Sequence, residues 1–365
     1  MPTIDELTKI RQEKLVALRE RGIDPYPSVV RRDHTIAQAM EMDGREAAVV
    51  GRILGMRGHG KIFFWDLLDE SGKMQIALKA DVCDPKAFDL VQYLDIGDFV
   101  AVQGMVGKTQ AGEVSIFGSN FQIITKALRP LPAQWYGFKD VEDRYRKRYI
   151  DMLLNPEVPK RLKMRSKVID SIRDFLTDRN FLEVETPTLQ PVYGGGFARP
   201  FVTHHNALDT DFYLRISDEM YLKRLIVGGF EKVFEITKVF RNEGVDRDHT
   251  PEFTMFEAMV AYQDYSYGMD IIEEIIEYVA LRVFEKTKFT YQETEIEVKR
   301  PWARYRMVEA IKHFTGVDPL TWKTVDQAKL AIQEIEKIPE AKFAQLRKMK
   351  TVGECIAFTF EEAVE

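Results

Sequence analysis

Five side chains between residues 241 and 257 could do chemistry together: Arg241, Glu243, His249, Phe253 and Glu257. If 241–243 closes one strand and 253–257 lies on the next, alternation puts Arg241 and Glu243 on one face, and Phe253 and Glu257 likewise. A guanidinium offers a planar fork matched to phosphate or carboxylate. A histidine at the loop tip adds a donor for a second phosphate, and a phenylalanine offers an apolar plane for a purine. A carboxylate at the far end suits an amine. Together these groups describe a pocket for ATP beside an amino group. The same residues could equally form a surface ion-pair cluster on a hairpin.

Composition narrows the setting. The chain has 365 residues, 45% hydrophobic and 30% charged, enough for two or three domains with cores of their own. A net charge of −6 gives no general pull toward nucleic acid, so such a partner would need a local basic patch. Cys83 and Cys355 stand far apart without metal-ligand spacing, which suggests a reducing compartment. "MPTIDELTKIRQEK" lacks the apolar stretch of a signal peptide, and no apolar run approaches the roughly 20 residues that span a bilayer. The expectation is a cytoplasmic protein with no membrane partner.

The elements that must position these groups are legible in outline. Residues 3–21 read as a helix opened by a Thr3/Glu6 capping box, with a thin apolar stripe through Leu7, Ile10, Leu15 and Leu18. It is either a solvated helix packed on its own domain or an arm that touches a polyanion. From 47 to about 125 the period is two, and three strands, a helix around 84–94 and two more strands follow the order of an OB-fold barrel. Alternation puts Phe64 on the face opposite Phe63 and Trp65, so that those two can be core and Phe64 a stacking surface, although an aromatic in a barrel is more often core. Residues 129–143 read as a linker, and 144–167 hold nine Lys/Arg against two acids. That patch fits a polyanion or a solvated charged helix. A helix is expected over about 160–179, then "KVFEI" and "KVFRNEG" as an antiparallel strand pair, then a mostly helical stretch over 264–365.

The order of motifs goes further. "FRNE" followed by H-x-x-x-F-x-x-x-E resembles motif 2 of the class II aminoacyl-tRNA synthetases, and "FLEVETP", ending at Pro187, resembles motif 1. "KLVALRERGIDPYP", "GGGFARPFVTHHNALD" and "YLRISDEMYLKRLIVGGFEKVFEI" resemble the lysyl branch of that class. The resemblance runs along essentially the whole chain. It implies an α+β multidomain protein: an N-terminal helical arm (1–44), an OB-fold anticodon-binding domain (45–128), the linker (129–143), and a class II antiparallel-sheet catalytic core (144–365) carrying motifs 1 and 2 only.

The implied reaction joins L-lysine to ATP as lysyl-adenylate and passes the lysyl group to tRNA(Lys), with Mg²⁺ as the metal and a homodimer built on the motif 1 segment. By the same resemblance Arg241 bridges the lysine carboxylate and the α-phosphate, while Asn242, Glu243, His249, Thr250 and Phe253 surround ATP. Gly195, Glu219, Glu257 and Met259 border the lysine, and Phe64, Gln75 and Glu113 read anticodon bases. Two residues depart from the pattern: Thr250 replaces an asparagine, and Met259 a tyrosine that helps hold the ε-amine. No Gly-rich motif 3 occurs, since only Gly316 and Gly353 follow Gly268. The metal ligands of the family would also lie beyond residue 365. The expectation is therefore a chain truncated before motif 3 that does not form adenylate at a useful rate by itself. A related enzyme for aspartate or asparagine is a weaker reading, because Glu219 and Glu257 suit a cation. A tRNA-binding or regulatory paralogue without catalysis is the alternative from another class.

Overall fold

A computed structural model of the chain describes residues 3–131, 140–246 and 249–364. Most of the expected linker therefore lies outside the described residues. The chain divides into two compact units, residues 1–160 and 161–365.

In the first unit, helix α1 (Ile4–Glu20) is closed at its start by the reciprocal Thr3/Glu6 box. Its inner seam differs from the expected stripe. Ile10 is 45% exposed, whereas Arg11 is buried and donates from its guanidinium to the carbonyls of Ala127 (2.9 Å) and Ile96 (3.0 Å). The face runs through Leu7, Arg11, Lys14 and Leu18, the 3.6-residue spacing of one helix side, and Leu18 enters the barrel core. Arginine fits there because its stem packs while its fork caps loop carbonyls that would otherwise be orphaned.

After short helix α2 (Ile36–Met40), strands β1 (Glu46–His59), β2 (Ile62–Leu68), β3 (Lys73–Lys79), β4 (Phe99–Lys108) and β5 (Val114–Thr125) close a barrel in the order β1-β2-β3-β5-β4. Helix α3 (Pro85–Asp89) sits between β3 and β4. Period-two alternation fills the interior with Val49, Ile53, Trp65, Leu67, Ile76, Leu78, Val102 and Ile116. Lys126 is fully buried and held by Asp95 and Asp98, the latter at 2.7 Å, so its charge is compensated where water cannot reach. Helices α4 (Val141–Arg146) and α5 (Arg148–Leu154) carry three of the nine basic residues of that patch, and local pairs absorb part of it. Arg144 and Arg148 both hold the buried Asp151, at 2.9 and 2.6 Å.

Helix α6 (Glu157–Thr177) lies mostly in the second unit. It is followed by the short strands β6 (Leu182–Glu183), β7 (Leu189–Gln190), β8 (Val202–His205) and β9 (Thr210–Leu214), then helix α7 (Glu219–Val227). Strand β10 (Lys232–Phe240) corrects the sequence reading. "KVFEI" and "KVF" are one continuous strand, and its antiparallel partner is β11 (Glu252–Val260). No turn falls between the two apolar runs, because Thr237 keeps extended geometry and has no turn residue beside it. Helix α8 (Tyr265–Phe284) and the hairpin β12 (Lys288–Tyr291) with β13 (Thr294–Glu297) come next. Helices α9 (Met307–Thr315), α10 (Val325–Gln333), α11 (Phe343–Leu346) and α12 (Val352–Ala363) end the described chain, the last three around a core of their own with Cys355 inside it.

The sheet β11-β10-β6 is two-faced. Even-numbered Phe234, Ile236, Phe256 and Ala258 pack with Phe175, Leu176 and Ile275 from α6 and α8. The odd-numbered face is left to α7 and to the residues with chemistry.

Candidate active site and barrel face

On that odd face the antiparallel register sets Val239 opposite Phe253, Glu235 opposite Glu257 and Val233 opposite Met259. Arg241 continues the row one step beyond the strand, where its backbone N–H still donates to Pro251 O at 2.9 Å. Its guanidinium carbon stands 5.1 Å from the centre of the Phe253 ring, and among the described residues its buried Nε has no hydrogen-bond partner. A donor in that position is ready for an anion. Asn242 N–H donates to Arg199 O at 2.8 Å, and Arg199 N–H to Glu243 Oε1 at 3.4 Å, which ties the 199 segment to the loop. His249 Nδ1 lies 2.8 Å from Asp246 Oδ1, and Thr250 Oγ1 donates to Glu252 O at 2.9 Å. Arg241, Glu243, Gly244, His249, Thr250 and Phe253 line a pocket of about 230 Å³. Asn242 does not line it.

Gly195, Glu219 and Glu257 belong to a second cluster. Ser217 Oγ donates to Glu257 Oε1 at 2.7 Å and accepts from Glu219 N–H at 3.0 Å, so one hydroxyl joins β11 to the start of α7. Gly195 has φ +86°, and a Cβ there would stand 2.6 Å from Ser217 Oγ and 3.1 Å from Glu219 Cβ. Only glycine permits both that conformation and that approach. Glu219 also pairs with Lys223, one turn along the helix. Beneath lies an ion pair that sequence reasoning missed. Arg215 and Glu235 are both buried and meet at 2.7 Å. Arg215 also donates to the carbonyls of Lys238 (2.9 Å) and Thr186 (3.1 Å), and the Thr186 hydroxyl donates to Glu235 at 2.6 Å. Pro187, next in sequence, is exposed.

Asp218 was missed too. It is 0% exposed, and among the described residues neither carboxylate oxygen has a hydrogen-bond partner. Burial, followed by the neighbouring Glu257 charge, raises its pKa to about 7. Glu257 is itself raised, first by burial, with the Ser217 hydrogen bond opposing and the Glu219 carboxylate adding to the rise. Nothing local marks Asp218 in the sequence, since "SDE" before an apolar run reads as an ordinary helix start.

The barrel carries a different kind of surface. One outward row crosses four strands as Arg57, Phe64, Ala77 and Phe117, and the next row holds Asp66, Gln75 and Ser115. Phe63 and Trp65 turn to the core, as alternation requires. Gln75 Nε2 donates to Glu113 Oε2 at 2.7 Å, and its oxygen accepts from Ser115 Oγ at 3.0 Å. The amide orientation is thereby set, and Glu113, with its side chain 55% exposed, faces any ligand. Phe64, Gln75 and Glu113 line one pocket of about 620 Å³, together with Arg57, Lys79 and Phe117.

The unpartnered Asp218 makes a stability prediction. With a folded pKa near 7 and an ordinary unfolded value, the native state holds its proton more tightly. Its stabilising effect is therefore complete below about pH 4 and is lost as pH rises through 7. Asp218→Asn is expected to stabilise the fold by about 2–4 kcal/mol at pH 8, with the advantage fading toward pH 4. Denaturation of both proteins across that range is the check, and a pH-independent difference would contradict the assignment.

Comparison with known proteins agrees with this layout. Residues 140–348 match the family model described as tRNA synthetases class II (D, K and N), and residues 47–124 match the OB-fold nucleic acid binding domain. A lysine–tRNA ligase of Pelotomaculum thermopropionicum is 45% identical over 99% of this chain and 71% of its own length. That of Carboxydothermus hydrogenoformans is 46% identical over 99% of this chain and 74% of its own. The lysine–tRNA ligase of Moorella thermoacetica is 46% identical over 90% and 68%. With an OB-fold barrel, a class II core and this identity along nearly its whole length, the chain belongs to the class II lysine–tRNA ligase family.

Proposed function

We propose that this chain carries the face on which L-lysine and ATP are brought together for the charging of tRNA(Lys), with the adenylate-forming rate of the chain by itself expected to be low. The observation that carries the reading is the convergence on one sheet face of a cation over an aromatic ring and, two alternations away, a carboxylate. Adenine stacks on Phe253, and Arg241 bridges the α-phosphate and the lysine carboxylate. Glu243, His249 and Thr250 border the remaining phosphates, with Asn242 holding the neighbouring segment. Glu257 receives the ε-ammonium, and Glu219 and the Gly195 backbone face the α-amino group. A lysine carboxylate oxygen attacks the α-phosphorus, and the bond to pyrophosphate breaks. The tRNA 3′-terminal hydroxyl then attacks the lysyl carbonyl, and AMP leaves. No enzyme nucleophile is needed, so the protein's work is positioning and stabilisation of developing charge.

Among the described residues no group of three or more His, Cys, Asp or Glu side chains could hold a metal ion. The described side chains thus form no all-protein cage, whereas a Mg²⁺ carried on ATP phosphates would need only one or two carboxylates. The barrel serves as the anticodon reader through Phe64, Gln75 and Glu113. A symmetric homodimer would use α6 and the segment ending at Pro187, a reading supported by exposed Leu162, Met164 and Leu182. Among the described residues no helix is long and apolar enough to cross a membrane, and a cytoplasmic setting suits these substrates.

Equilibrium dialysis tests the core. L-lysine is expected to bind while L-aspartate and L-asparagine do not, and ATP should tighten lysine binding through Arg241. Glu257→Gln should weaken lysine by about 10- to 100-fold, the usual loss of a charged hydrogen-bond partner, and Arg241→Ala should remove the ATP effect. Aspartate binding, or lysine binding untouched by Glu257→Gln, would sink the reading. For the barrel, Phe64→Ala should weaken a U-rich anticodon hairpin by roughly 1–3 kcal/mol. Unchanged affinity in a folded protein would remove the anticodon role from this face.

A further inference from the structure

Phe117 lies in the same outward row as Phe64, with Ala77 between them on the middle strand. Two strand spacings put the two backbones about 10 Å apart. Ala77 faces outward between the two aromatic residues and is only 1% exposed. Each ring has a cation beside it. Arg57 stands 5.8 Å from the centre of Phe64, and the Lys79 ammonium 5.6 Å from the centre of Phe117. Both rings border the same pocket, and Gln75 and Glu113 lie along it. The Phe117 ring also rests against Gly107, where a Cβ would stand 3.3 Å from it, so its position is supported from behind.

We propose that Phe117 is a second stacking platform, so that the barrel holds two neighbouring RNA bases at once, one on Phe64 and the next on Phe117. This rests on the barrel's role as an RNA reader. The spacing favours two bases over one. A single base stacked on both rings would need faces about 7 Å apart, twice the usual carbon contact distance, whereas the two backbones stand about 10 Å apart with the Ala77 strand between them. The flanking cations suit the phosphates on either side of such a pair. Stacking is indifferent to base identity, so Phe117 adds affinity and register while the Gln75–Glu113 pair supplies hydrogen bonds to a base edge.

An abasic scan separates the outcomes. The probe is the tRNA(Lys) anticodon hairpin, intact or with one base of its loop removed at a time. Phe117→Ala should weaken the intact hairpin by about 5- to 100-fold, with Phe117→Tyr restoring affinity and Phe117→Leu not. The Phe117→Ala loss should vanish for one abasic position and the Phe64→Ala loss for the adjacent one. A fluorescent purine analogue at the Phe117 position should be quenched on binding wild type and stay bright with Phe117→Leu. If both losses vanish at the same position, the rings share one base and the proposal is wrong. If Phe64→Ala weakens binding and Phe117→Ala does not, the proposal fails while the RNA-reading role stands. Should neither change matter in folded proteins, the RNA-reading role itself fails.

Discussion

The buried pair of Arg215 and Glu235 is the constraint on which the core depends. Arg215 sits where β9 passes into α7, Glu235 in the middle of β10, and both are shut away from water. Through the Thr186 carbonyl and hydroxyl the pair also grips the segment that ends at Pro187. Two stretches distant in sequence are thereby fixed to β10. A buried pair of this kind is weak evidence of net stability, yet removing one partner commonly costs about 3–5 kcal/mol because the other is stranded. Here it would strand Glu235 directly opposite Glu257. The ion pair thus satisfies one carboxylate of the facing couple, while the other accepts a hydrogen bond from the Ser217 hydroxyl.

The candidate sites of the two units rest on different physics. The odd face of β10 and β11 concentrates charge where water is scarce, and Glu257 and Asp218 both carry the cost as raised pKa values. Groups held at such cost are common where a ligand supplies the missing partner. The barrel instead offers rings with flanking cations on an open surface, the arrangement that suits flexible RNA.

Much of this was legible in the sequence, for reasons that differ by residue. The Thr3/Glu6 box and the inward turn of Trp65 followed from short-range rules, and both hold. Arg11 in place of Ile10 was hidden, because hydrophobicity alone cannot show a guanidinium capping distant carbonyls. The split of β10 into two strands failed for a related reason, since a polar break in an apolar run does not make a turn without turn residues. Arg241, Phe253 and Glu257 were picked out by residue type and by family resemblance, and strand register then gathers them on one face. Asp218, the Arg215–Glu235 pair and Phe117 were missed because each acquires its meaning from a neighbour far away in sequence.

The most direct test is a crystal structure of this chain with a lysyl-adenylate analogue whose phosphate is replaced by a sulfamoyl group. Adenine is expected on the Phe253 ring, the sulfamoyl group at the Arg241 guanidinium, and the ε-ammonium at the Glu257 carboxylate with Ser217 still bonded to it. An analogue bound with its lysyl side chain away from Glu257, or its adenine away from Phe253, would contradict the assignment of this face.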